Sequence, residues 1–267
     1  MVEAVKHIFL EHKKNYEMLK KIIIAVMKQK TLRASLGIFW DYIHDFIYLI
    51  VFIAFRILTA GNSDIMGVHN IVYLITGIIP WFAINESIGT GVTALLSSKN
   101  IIKSLKFPIS ILPTAHIVAI LLKRMPTFLL VFGTCLFYGY GGAFNPLKFA
   151  YFIVCMLVFL ISYNMLFSAI IAISNDFHQL YMALVRIMIF SLPVVWSFEN
   201  VSSILWLNIL LHINPMAYIV SGFRYAFAIN GMPSSLYTLY FWGVVAFLFG
   251  LGCLVQHKLR KYYADFM

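Results

Sequence analysis

Chemistry in this sequence would have to come from the few charged side chains set inside long apolar runs. Asp41, His44 and Asp45 fall within about one helical turn. Two carboxylates and an imidazole at that spacing share a helix face, where they could hold a metal, move a proton or form a polar surface. The polar surface is the reading adopted here. Glu86 lies in a second apolar run, and Lys123 with Arg124 in a third. This basic pair could grip a phosphate through charge-assisted hydrogen bonds, or pair with Glu86 or an Asp. Arg56, Arg186 and Arg224 complete the set of charges whose burial in a membrane would be costly. Chemistry on bound nucleotide is not expected, because no GxxxxGK[ST] loop occurs. The stretch "GTGVTALLSSKN" (89–100) has glycines and a lysine at the wrong spacing, inside an apolar run.

The elements that carry these charges are set by composition. Of 267 residues, 62% are hydrophobic and 11% charged, and the mean hydropathy is +0.89. A water-soluble domain is about a quarter charged. The bilayer is therefore the expected solvent, and about 20 apolar residues make one helical crossing. The net charge of +10 does not point to nucleic acid, because the basic residues cluster beside apolar runs. Eight of the 20 Lys and Arg lie between Lys6 and Arg33, with further groups at Lys99, Lys103 and Lys106 and at Lys258, Arg260 and Lys261. That placement suits the positive-inside rule and contacts with lipid headgroups. Three cysteines with no CxxC predict neither a disulfide framework nor a zinc site, and no removable signal peptide is expected.

The pattern along the chain predicts an all-α membrane protein in one domain. Residues 1–33 read as an amphipathic helix lying in the membrane interface, with Ile8, Leu19 and Ile23 on one face and Lys13, Lys20 and Lys28 on another. Six crossings are expected at about 38–58, 70–96, 109–138, 149–173, 181–196 and 236–255. Lys123, Arg124 and Pro126 interrupt the third. The basic N-terminal segment, the 97–107 loop and the C-terminal tail should be cytoplasmic, which places both termini inside. Sixteen per cent of the chain is aromatic. Trp81, Trp196, Trp206 and Trp242 fall near expected interfacial levels, where they would form a belt.

Residues 198–232 are apolar but broken at Asn214-Pro215. Asn as a cap with Pro at the first helical position is a helix-start signal. Two arms too short to span predict a re-entrant helical hairpin that enters the outer leaflet and returns. Arg224 would then mark a polar surface or reach for headgroups.

The ordered segments "LGIFW" (36–40), "GIIPWFAINESIGTGVTALLSSKNIIKSLKFPISILP" (77–113), "NPMAYIVSGFRYAF" (214–227) and "KLRKYYADFM" (258–267) give the chain an end-to-end resemblance to the membrane subunit of ABC-2 type polysaccharide exporters. Two positions depart from the family pattern. Asp45 stands where members often have Pro, and Asp176 lacks a preceding Arg. The resemblance implies export of an undecaprenyl-linked polysaccharide (O-antigen, teichoic acid, capsule or rhamnose-rich wall polymer) across the bacterial inner membrane. It implies a homodimer with two copies of an ATP-binding subunit that would hold ATP and Mg, this chain holding no cofactor. It also implies a cytoplasmic coupling segment at 97–107 with Lys99, Asn100, Lys103, Lys106 and Pro108. A transport path would run past Asp41, Asp45, Glu86, Lys123 and Arg124, and an outer gate would include Asn214, Pro215, Arg224 and Tyr225. The alternatives are an ABC-2 exporter of small lipids or drugs, and an integral membrane polyprenyl-phosphate transferase. The transferase would need convergent acids or histidines on one aqueous face, and the acids here are few and scattered.

Overall fold

Backbone polar groups in an apolar medium must bond within their own segment, which favours helices. The computed structural model describes residues 2–31, 39–60, 64–98, 108–172, 175–194 and 205–259. Among these there is no strand, only an isolated bridge between Ile65 and Val68. That bridge closes a tight turn with Met66 and Gly67 at positive φ.

The helices, in chain order, are α1 (Val2–Lys14), α2 (Tyr16–Thr31), α3 (Phe39–Ala60), α4 (Asn70–Thr90), α5 (Ala94–Ser97), α6 (Ile111–Arg124), α7 (Thr127–Phe137), α8 (Pro146–Ile171), α9 (Asn175–Ile187), α10 (Leu205–Ile213), α11 (Pro215–Phe227) and α12 (Ser235–Leu259). Four helical stretches are long and apolar enough to cross a membrane: Asn70–Ser97, Ile111–Phe137, Pro146–Ile171 and Ser235–Leu259. They match the second, third, fourth and sixth expected crossings. The first expected crossing is helical as α3, 22 residues long and carrying Asp41, Asp45 and Arg56. The fifth differs from expectation. Its helix starts at Asn175 rather than near Tyr181 and gives way at Met188–Ser191 to a 3-10 turn. Residues 195–204, with Trp196, lie outside the described residues.

Local chemistry explains the breaks. Asn145 accepts hydrogen bonds from the N–H groups of Leu147 and Lys148 (3.0 and 3.1 Å), and Pro146 takes the first position of α8. Asn214 does the same for α11, accepting from the Met216 N–H at 3.0 Å. The Asn-Pro pair is thus used twice as a helix start. The third crossing is split at Pro126, which cannot continue the hydrogen-bond ladder. Two hydroxyls serve carbonyls beside the break: Thr127 donates to Arg124 (2.6 Å) and Tyr42 to Lys123 (2.6 Å).

The predicted N-terminal amphipathic helix is two helices meeting at Asn15, and both dock on the bundle. α1 packs on α12 and α2 on α6. Ser110 donates to Glu11 at 2.6 Å, and His12 meets the Thr114 hydroxyl at 2.9 Å. The central helix is α8, packed against α12, α11, α6 and α4. A cluster of rings holds it there. Phe128 and Phe223 stand 5.0 Å apart, Phe149 and Phe227 5.5 Å, and Tyr218 stacks on Phe241 at 4.5 Å. Gly222 lets α11 close on this cluster, since a Cβ there would overlap the Phe152 ring. Replacing Gly222 by Ala should therefore cost about 1–3 kcal/mol through overpacking. Gly133→Ala, at a position facing open space, should not lower stability. Thermal unfolding midpoints of the purified variants in one detergent check both.

Candidate functional site

Four of the charges singled out from the sequence meet in one cluster. Lys123 Nζ lies 2.5 Å from Glu86 Oε1, and Arg124 Nε lies 2.6 Å from Glu86 Oε2. The Arg124 guanidinium also pairs with Asp45. The side chains of Lys123 and Glu86 are 7% and 8% exposed. Two carboxylates and two cations balance, as buried charges require. Of the two readings open for Lys123-Arg124, the structure shows pairing with Glu86 and an Asp. The cluster binds three elements, α3 through Asp45, α4 through Glu86 and α6 through the basic pair. It does so just before the Pro126 break, where Tyr42 from α3 adds its bond to the Lys123 carbonyl.

The cluster forms one wall of a cavity of about 650 Å³ between α3, α4 and α9. Other walls come from Tyr48, Trp81, Asn85 and Arg186. Polar and aromatic side chains share that lining. Glu86 and Lys123 also border a smaller cavity of about 180 Å³ against α2 and His116. Trp81, expected in an interfacial belt, is instead buried in α4, while Trp206 is exposed and Trp242 donates to the Tyr151 hydroxyl at 3.1 Å.

At the bundle end opposite α1 and α2, Arg224 is not at a polar surface and does not reach outward, which corrects both sequence readings. It is 3% exposed. Its guanidinium lies 3.7 Å from the centre of the Tyr73 ring, and Nε donates to the Tyr73 carbonyl at 3.3 Å. Gly77 makes the room: a Cβ there would overlap the Arg224 guanidinium. A cation that finds a π-face and a carbonyl is partly compensated for lost water. Asn214 also donates to the Ser191 hydroxyl at 3.1 Å, tying the α10–α11 break to the 3-10 turn after α9. Tyr225 is half-buried and lines a mostly apolar cavity of about 710 Å³ with His212, Tyr237 and Tyr240.

Other expected site residues are less informative. Asp41 lies on α3, but its side chain is outside the described residues, as are Lys99, Asn100, Lys103 and Lys106 entirely. Pro108 is described and buried, and its carbonyl accepts from the Ile111 N–H at 3.2 Å. Sequence reasoning missed Tyr42, Tyr48, Tyr73, Gly77 and Asn85. Tyr42 and Tyr48 were discoverable, since they stand three residues before and after Asp45 on one helix face. Tyr73 and Gly77 gave no such sign, because their partner is 151 positions away from Tyr73.

The family model described as ABC-2 type transporter matches residues 19–228 of the 267. The chain belongs to this family. The ABC-2 match takes in the whole ion cluster and both helices of the Asn214 break. Among curated proteins, the chain is similar to the O-antigen export system permease protein RfbA of Myxococcus xanthus, 19% identical over 82% of this chain and 83% of that one. It is also similar to the protein of the same name from Klebsiella pneumoniae, 20% identical over 94% of this chain and 95% of that one. As an ABC-2 family member, the chain is a membrane component of a transporter, consistent with the multiple apolar helices.

Two outcomes follow from the buried charges. Glu86→Gln removes the carboxylate that Lys123 and Arg124 share and should cost about 3–5 kcal/mol. Adding Lys123→Met restores balance and should recover most of that loss, a coupling readable in a double-mutant cycle of unfolding midpoints or membrane abundance. Gly77→Ala, which pushes Arg224 off Tyr73, should lower the unfolding midpoint, whereas Gly89→Ala, with open space around it, should not.

Proposed function

We propose that this chain is the transmembrane subunit of an ATP-driven exporter of a lipid-linked cell-surface polysaccharide, such as a teichoic acid, O-antigen, capsule or rhamnose-rich wall polymer. The observation that carries this reading is the match, nearly end to end, to a permease named for O-antigen export. The cavity between α3, α4 and α9, polar and aromatic together, supports it as a stretch of path for a glycan.

The arrangement we propose has six crossings. The four long apolar helices are joined by α3 and by the segment that begins with α9. α10 and α11 form the re-entrant hairpin of 198–232 as an outer gate, with Asn214, Pro215, Arg224 and Tyr225 setting its turn and seat. Both termini face the cytoplasm, and α1 and α2 lie along the inner membrane surface within 1–33. A second copy of the chain covers the faces of α3 and α9, which expose Phe46, Val51 and Phe55 and Leu180, Leu184 and Ile187. An exposed apolar strip next to a polar cavity is what a paired subunit would bury. Two ATP-binding subunits engage the 97–107 segment and supply ATP and Mg; this chain holds no cofactor. Nucleotide binding there favours one arrangement of the permease pair over another, and transport follows from that difference in affinity.

The test joins genetics and biochemistry. Deleting the chain in its host should abolish the surface polymer while lipid-linked precursor accumulates inside. The purified chain should bring down an ATPase. A label attached at the C-terminus should react only after the inner face is opened. Export that proceeds without any ATPase would refute the reading.

A further inference from the structure

We propose that Arg186 is the cation that receives the phosphate of a lipid substrate inside the cavity of α3, α4 and α9. This rests on the export reading above and names the group that the cargo would meet. Arg186 is the last charged residue of α9, 11 residues beyond Asn175, so the helix carries it about 16 Å from its start, roughly half the thickness of a hydrocarbon layer. Two buried side chains set the rotation of α9. Tyr181 donates to the Ile88 carbonyl at 2.8 Å, and Val185 is 5% exposed. With those two turned inward, Arg186 is exposed and borders the cavity beside Asn85 and Met182.

The other charges of the cavity are already matched. Asp45 and Glu86 pair with Arg124, and Glu86 pairs also with Lys123. No described carboxylate forms an ion pair with Arg186. Among the described charged residues that line the cavity, Arg124 is held by ion pairs and Arg186 is not. An arginine at mid-depth is costly unless it faces water or a partner, and it usually marks a substrate route. A planar guanidinium offers two parallel donors to phosphate oxygens. The space of about 650 Å³ and the rings of Trp81 and Phe190 leave room for the apolar and sugar parts on either side.

Phosphate can come from a polyprenyl diphosphate carrier or from the headgroup of an anionic phospholipid. The full chain with its ATPase would be placed in neutral phosphatidylcholine nanodiscs containing undecaprenyl diphosphate, or phosphatidylglycerol at the same level. Retained lipid is then counted by native mass spectrometry. The native chain should retain one of them. Arg186→Gln should reduce retention at least tenfold, and Arg186→Lys should keep part of it. Retention of undecaprenyl diphosphate names the carrier as the source; retention of phosphatidylglycerol names the headgroup; either supports the site. Equal retention by Arg186→Gln overturns the proposal. So does loss of self-association in that variant, which would make Arg186 an interface residue. In cells, Arg186→Gln should lower surface polymer at unchanged abundance. If Arg186→Gln exports normally while deletion of the chain abolishes export, this inference fails and the export reading stands. If deletion leaves the surface polymer intact, the export reading itself fails.

Discussion

A charge placed away from water must find its opposite, and much of this molecule is arranged around that requirement. Removing one member of a buried pair exposes the other to the full cost of lost hydration. Glu86 sits between Lys123 and Arg124, and Arg124 reaches on to Asp45. The result is a cluster of opposite charges that pins α3 to α4 and α6. This matters because α3 has otherwise little to hold it: its backbone packs chiefly on α4, and much of its surface is exposed. Polar links at three levels replace the missing apolar contact. They are the ion cluster, the Tyr42 bond to Lys123, and the Arg56 bond to Asn70 at 2.5 Å. A helix held by directional bonds can be released by shifting a few atoms, which a helix held by broad packing cannot.

The opposite half of the molecule solves its problem with packing. α8 is surrounded, and rings from α7, α8, α11 and α12 interlock around it. Gly222 and Gly77 are the points of closest approach, one against Phe152 and the other against Arg224. Arg224 shows the same rule as the ion cluster in another form. With no described acid paired to it, it uses the Tyr73 ring and carbonyl. The break at Asn214 is tied through Ser191 to the segment after α9, and α11 is tied through Arg224 to α4.

The cavity lies where these two modes of construction meet. Its α4 wall is firmly packed, its α3 wall is held by polar bonds, and its α9 wall ends in a 3-10 turn. Its lining joins ion-paired charges that hold α3 in place, aromatic rings and the exposed Arg186.

Composition alone determined the solvent, because no other medium suits a chain that is 62% hydrophobic. Apolar run lengths located four long helices, and the Asn-Pro signal at 214 announced the start of α11. Such properties depend on neighbours within a turn or two, so they can be read along the chain. The same signal at Asn145-Pro146 was equally legible and moves the start of α8 ahead of the apolar run itself. The partners of the charges were a different matter. Lys123 and Arg124 offered two readings in sequence, and only their approach to Glu86 and Asp45 chose between them. Arg224 looked like a surface group until the fold brought Tyr73 and Gly77 to it from 151 and 147 positions away. Electrostatic and steric energies depend on distance in space, and folding makes neighbours of residues that sequence order keeps far apart.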